Sequence, residues 1–230
     1  MPMYADGPRE FDFVEWSDGM SWLVTGETGR RASHAIVCEN DVWLFDPLDA
    51  PGVRDRIADL GEVAGVAVLS NYHTRAAGEF AERYGVPVSV PTWMNRVQER
   101  VEASVVRYDD KLNGTGFSVR RSSPIPGWRE GIAFRERDGT LYVPDVLGSA
   151  PVFTAGNERV GVYLLARVFP PRDVFAGVRP DRILFGHGAP IENDAMDALA
   201  DALSGARRQF PHALRANGWT QLRALVAALE

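Results

Sequence analysis

Apolar and polar positions alternate through the first third of the chain. Phe11 to Trp16 and Ser21 to Thr25 read as short strands around the turn Ser17-Asp18-Gly19, and Ala35 to Phe45 continues as a hairpin turning at Glu39-Asn40-Asp41. From Pro51 the period changes. A proline at the start, Val53, Ile57 and Leu60 at helical spacing, and Gly61 behind them predict a helix. The buried strand GVAVLS, the helix AAGEFAERYG and the strand PVSVP then form a β-α-β unit.

A helix is expected at Thr92 to Glu102, after which strands return. Phe117 to Arg121 is short, and Ile132 to Glu136 pairs with Thr140 to Val143 across Arg137-Asp138-Gly139, a good hairpin signal. A helix near Pro171, the strand RILFG, a helix from about Glu192 to Arg208 and a closing helix from Thr220 to Leu229 complete the order. Met196, Leu199 and Leu203 fall on one face of the penultimate helix, with acids in its first turn and arginines in its last. Two mixed sheets facing each other with helices outside accommodate this order, although composition alone selects no single α/β layout. No internal repeat, low-complexity tract or linker divides the sequence, so one domain over residues 1–230 is expected.

Charge narrows the partners. A net charge of −6 and a sequence pI near 5.3 argue against a nucleic-acid backbone or an anionic membrane surface. Lys111 is the only lysine among 25 basic residues, a bias from which no function follows. Cys38 is the only cysteine, which excludes an internal disulfide and a cysteine-based zinc knuckle. It lies inside a strand pattern and reads as a buried small hydrophobe. The start, MPMYADGPREFDF, lacks the basic and apolar regions of a secretory leader, and no apolar run reaches spanning length. A cytoplasmic protein is expected.

The chemistry gathers at three strand ends: His73 in SNYHTRAAG, Asp145 in VPDVLG, and His187 in GHG. Taken together these segments resemble the metallo-β-lactamase fold superfamily, in which a strand ends in T-H-x-H-x-D-H-x-G. The resemblance sets Asn71 at the first histidine position, His73 at the second, Arg75 at the aspartate and Ala76 at the last histidine. It sets Trp128, in IPGWREGIAF, at a third ligand position. Asp145 falls at the bridging aspartate, with Pro144 for the usual glycine, and His187 at the late ligand in an intact G-H-G. Asp46, in VWLFDPLD, matches the family's early Asp-x-G. The match runs from about Trp22 to Ile191 and implies an α/β fold, a four-layer αββα sandwich with two mixed sheets inside.

The same resemblance implies that a two-metal centre is incomplete. A first metal would meet Asn71, His73, Trp128 and Asp145, and a second Arg75, Ala76, Asp145 and His187. Each set holds only two good ligands where a catalytic zinc needs three. Indole offers no lone pair, and a guanidinium a few ångströms from a divalent ion is repulsive by on the order of several kcal/mol. Arg75 is therefore expected to exclude a second metal and to take over its role by pairing with Asp145.

Other chemistries lack their motifs. There is no G-x-S-x-G elbow, no phosphate-binding G-x-x-x-x-G-K-[ST] loop and no dinucleotide fingerprint. Each cleft residue also has a plain structural use: His73 fixing a loop, Asp145 bracing one, the glycines around His187 allowing close approach, and Trp128 filling space. His34 and His212 have no companions. The reading is an eroded site on a scaffold that binds a small molecule or a protein partner without cofactor. The alternative is a weak hydrolase holding one Zn or Fe on His73, Asp145, His187 and the Asn71 oxygen, acting on an ester, thioester, lactone or phosphoester. A homo-oligomer through the C-terminal helices is compatible with both.

Overall fold

Neighbouring residues of one strand serve two different cores, and that explains the layering. Ala35 packs with α-helical residues while Ile36 and Cys38 face a second sheet, as the two-residue period of a strand requires. The structure, a computed structural model, describes residues 3–4 and 9–229, with side chains through Gln221.

The first sheet takes its strands in sequence order: β1 (Phe11–Trp16), β2 (Gly19–Val24), β3 (Ala32–Cys38), β4 (Asp41–Phe45), β5 (Val63–Ala67), β6 (Val88–Pro91) and β7 (Val105–Tyr108). β1 to β4 are antiparallel, and β4 to β7 run parallel because helices carry two of the connections. Those helices are α1 (Val53–Leu60) and α2 (Ala77–Tyr84), which bury Val53, Ile57, Ala77 and Phe80. α3 (Asn95–Gln98) is one turn long, shorter than the helix expected over Thr92 to Glu102.

The second sheet has the order β14-β11-β10-β9-β8, from β8 (Lys111–Leu112), β9 (Phe117–Ser122), β10 (Glu130–Arg135), β11 (Thr140–Val143) and β14 (Arg182–Phe185). Its one parallel pair is β11 with β14. β12 (Leu147–Gly148) and β13 (Gly161–Val162) form a small separate ribbon. Between the sheets lie Phe45, Leu69, Phe117, Tyr142 and Leu184, and on the outer face of the second sheet Leu141, Ile183 and Phe185 meet Ala198, Leu199 and Ala202 of α4 (Ala195–Leu229). The order of layers is helix, sheet, sheet, helix. Cys38 is buried in β3, where its sulfur accepts a bond from Arg135.

Two features of the C-terminal region differ from expectation. The two helices expected there are one, since α4 runs through Pro211 without a break. Proline removes one helical bond, but side chains beyond it anchor the continuation: Ala213 is buried against Ala155 and Leu164, Asn217 donates to the Pro151 and Thr154 carbonyls, and Gln221 bonds Val152 and Leu164. Of Met196, Leu199 and Leu203, expected on one face, Leu199 is buried and Leu203 packs against the same core, while Met196 is exposed; Ala195 and Ala198 lie in the core beside Leu199. The segment near Pro171 is a 3-10 turn, Arg172–Phe175. No described helix is long and apolar enough to cross a membrane.

Candidate functional site

Parallel pairing brings the carboxyl ends of β4 and β5 to one edge of the first sheet, and those of β11 and β14 to one edge of the second. Ligand sites in α/β folds form at such ends. Asp46 follows β4, His73 lies in the loop after β5, Asp145 follows β11 and His187 follows β14. The intact G-H-G is needed for close approach. A β-carbon on Gly186 would strike the Pro144 backbone, and one on Gly188, at φ 107°, would strike Ser149.

Three side chains converge. His73 Nε2 and His187 Nε2 each lie 3.3 Å from the same atom, Asp145 Oδ1. One donor atom from each of the three residues falls within 4.8 Å of the others. The second oxygen, Oδ2, accepts a short hydrogen bond from the Ser70 hydroxyl. Burial alone would raise the carboxyl of Asp145, but the imidazole of His73 and then that of His187 outweigh it and hold it well below the usual range.

The tautomer of His187 follows from its other nitrogen. Nδ1 lies 2.8 Å from the Gly29 carbonyl, which only accepts, so Nδ1 carries the hydrogen. In a neutral ring Nε2 is then a bare lone pair facing a carboxylate oxygen. That arrangement is repulsive unless a second ring proton or a metal cation stands between them.

Behind His73 lies Asp46. Its Oδ1 is 3.8 Å from His73 Nδ1, and both atoms are buried without a hydrogen-bond partner. Tyr142 donates to Oδ2, and burial raises the carboxyl's pKa. Asp46 adopts a left-handed backbone, φ 46°, which aspartate tolerates better than most residues.

Arg75 does not pair with Asp145. Its guanidinium is turned onto backbone carbonyls, NH1 donating to Ala32 and, at 3.1 Å, to Asp46, and NH2 to Gly186 at 2.8 Å. The expectation overlooked that three strand ends leave carbonyls pointing at this position. Their oxygens satisfy a planar fork as well as a carboxylate does.

Asn71 and Trp128 are also occupied elsewhere. Asn71 Oδ1 accepts from the backbone N–H of Arg129 at 2.9 Å and Nδ2 donates to the Gly127 carbonyl at 3.0 Å, so the Asn71 oxygen expected beside an ion is a loop tie instead. Trp128 is buried and packs edge-on against Tyr72 and Tyr163, with ring centroids 5.3 and 4.8 Å away. Of the residues set at the metal positions by the resemblance, His73, Arg75, Ala76 and His187 line a cavity of about 540 Å³, whose lining also includes Tyr4 and Tyr72. His34 lies deeper, bonded to Ser21 and to the Phe185 carbonyl, and His212 is exposed.

One residue escaped the sequence reading. Glu130 is fully buried beside Asp145, and burial, with the nearby Asp145 charge, raises its carboxyl to about 8. An acid opening the otherwise apolar first half of β10, two residues after the displaced ligand position, was the available signal.

No family model matches the chain, and no curated protein matches it. Solved structures do. The chain is similar to the metallo-β-lactamase DIM-1 exposed to ceftazidime, with 12% identity over 88% of this chain and 99% of that one, at TM-score 0.56. A structure of TMB-1 gives 13% identity, 92% and 99% coverage and TM-score 0.57. The metallo-β-lactamase of Pontibacter korlensis gives 13%, 85% and 99%, and 0.56. At such identities the likeness carries architecture and leaves chemistry open: this chain has the metallo-β-lactamase fold, as its strand-end motifs implied.

Proposed function

We propose that the chain is a metallo-β-lactamase-fold hydrolase reduced to a single cation, held by His73, Asp145 and His187. The observation that carries this reading is the convergence of two imidazole nitrogens and a carboxylate oxygen within 4.8 Å. Two histidines and one carboxylate are a sufficient catalytic set for zinc or ferrous iron. The donor chemistry fits in a second respect, because the His187 tautomer leaves Nε2 as a lone pair directed at the cluster.

Such a cation, when bound, supplies Lewis-acid polarisation of an acyl or phosphoryl oxygen. The chain's own residues do the rest. Gly29 and Asp46 orient the two rings, Ser70 orients the carboxylate, and Arg75 ties the surrounding strand ends together while keeping a fixed positive charge that disfavours a second ion. Tyr4 and Tyr72 line the same cavity, whose volume suits a small organic ester, thioester, lactone or phosphoester.

A second reading has its own support. Asn71, Arg75 and Trp128 are each satisfied by protein groups, as in a scaffold that binds a small molecule without metal. Metal analysis of the purified chain separates the two. One tightly held zinc or iron, lost in His187→Ala, supports the hydrolase; none supports the scaffold.

A further inference from the structure

We propose that Glu130 is a positioning residue for this site, gripping the backbone of Asp145 so that Oδ1 faces both histidines. Glu130 opens β10 and is fully buried. Its Oε2 accepts the backbone N–H groups of both Asp145 and Val146 at 2.9 Å, and Oε1 accepts the Ser122 hydroxyl at 3.2 Å. Two adjacent N–H groups converging on one oxygen fix the direction of the chain where it leaves β11.

The grip has a second half. Glu130 is bridged across to Ser70, the residue whose hydroxyl holds Asp145 Oδ2. One partner therefore fixes the backbone of Asp145 and the other its side chain. Neighbouring ties secure the pair: Gly131 donates to the Leu69 carbonyl at 2.7 Å, and Asn71 is bonded to Gly127 and Arg129 on either side of Trp128. The segment that the family motif would use for a ligand here serves to hold a ligand on another strand. A buried acid costs more to place than an apolar residue would, and the three donors meeting this one are what offset that cost.

The proposal depends on the one-cation reading only for its effect on metal affinity. Reach, rather than charge, is what Glu130 contributes, so Glu130→Gln and Glu130→Asp should part company. The glutamine keeps an oxygen at full length; the aspartate keeps the carboxyl group but withdraws it. In the intact 230-residue chain, Glu130→Asp is expected to weaken Co²⁺ binding by about 10–100-fold, as loss of an outer-sphere support typically does, and to move the ring ¹⁵N shifts of His73 and His187 in the metal-free protein. Glu130→Gln is expected to do neither. Should Glu130→Asp fail to fold, Ser122→Ala, which frees the carboxylate to turn, carries the same expectation. Unchanged ring signals in the shortened variant overturn the proposal, as does a glutamine variant that behaves like the aspartate. If the unaltered chain takes up no Co²⁺, the one-cation reading fails, and the ring signals alone still decide the role of Glu130.

Discussion

Arg75 donates to the carbonyl of Gly186 at 2.8 Å, the residue immediately before His187. With its bonds to Ala32 and Asp46 it joins the ends of β3, β4 and β14, and so both sheets, at the edge where the site forms. Its own backbone is left-handed, φ 48°, a conformation tolerated because the surroundings fix it.

Removing this fork leaves carbonyls without their donor, at roughly 1–3 kcal/mol for each that stays buried. Arg75→Ala is therefore expected to lose at least about 2 kcal/mol in urea unfolding. Arg75→Lys should recover only part, because an ammonium cannot reproduce the planar geometry. An unchanged unfolding midpoint in Arg75→Ala contradicts the structural role.

Asp46 stands behind His73 with an unpartnered oxygen facing an unpartnered ring nitrogen. A carboxylate there favours the tautomer that presents Nε2 to the cluster. Asp46→Asn keeps the shape and an acceptor for Tyr142 but loses the charge, and calorimetry should show Co²⁺ bound about 10–100-fold more weakly with the fold intact. Equal affinity in the variant rules out the orienting role.

His34 makes stability depend on pH. Burial pulls its pKa down to about 3, against an ordinary value of 6.5, while it bonds Ser21 on the next strand of its own sheet and the Phe185 carbonyl of the other sheet. Between those values the unfolded chain binds a proton that the folded chain refuses, so its contribution is complete above the unfolded pKa and is lost as pH falls toward 3. Denaturant titrations from pH 7 down to about 4.5 should show falling stability, with a shallower fall in His34→Gln. Identical slopes in the two proteins exclude His34 as the source.

Much of the fold is legible in local pattern, and most of the site's wiring is not. The hairpin of β10 and β11 follows from Arg137-Asp138-Gly139, with Gly139 at φ 61°, and the G-H-G motif marks a close approach because only glycine fits against Pro144 and Ser149. These are short-range constraints. The partners of Arg75 lie up to 111 positions away in the chain and are backbone atoms, which carry no residue-specific signal. Pooling His73 and His187 around one carboxylate oxygen likewise depends on tertiary placement, whereas the motif assigns the two histidines to separate metals. Gly205, Pro211 and Gly218 punctuate the C-terminal helix in sequence, yet packing of Ala213 and the Gln221 side chain carries it through.

If His73, Asp145 and His187 form one cation site and Arg75 bars a second, the number of bound ions is fixed. Elemental analysis of the purified chain, repeated after equilibration with Zn²⁺ or Mn²⁺ and on His187→Ala, counts them. One ion per chain is expected in the unaltered protein and none retained in the variant. Two ions per chain, or no uptake by the unaltered protein, would contradict the single site.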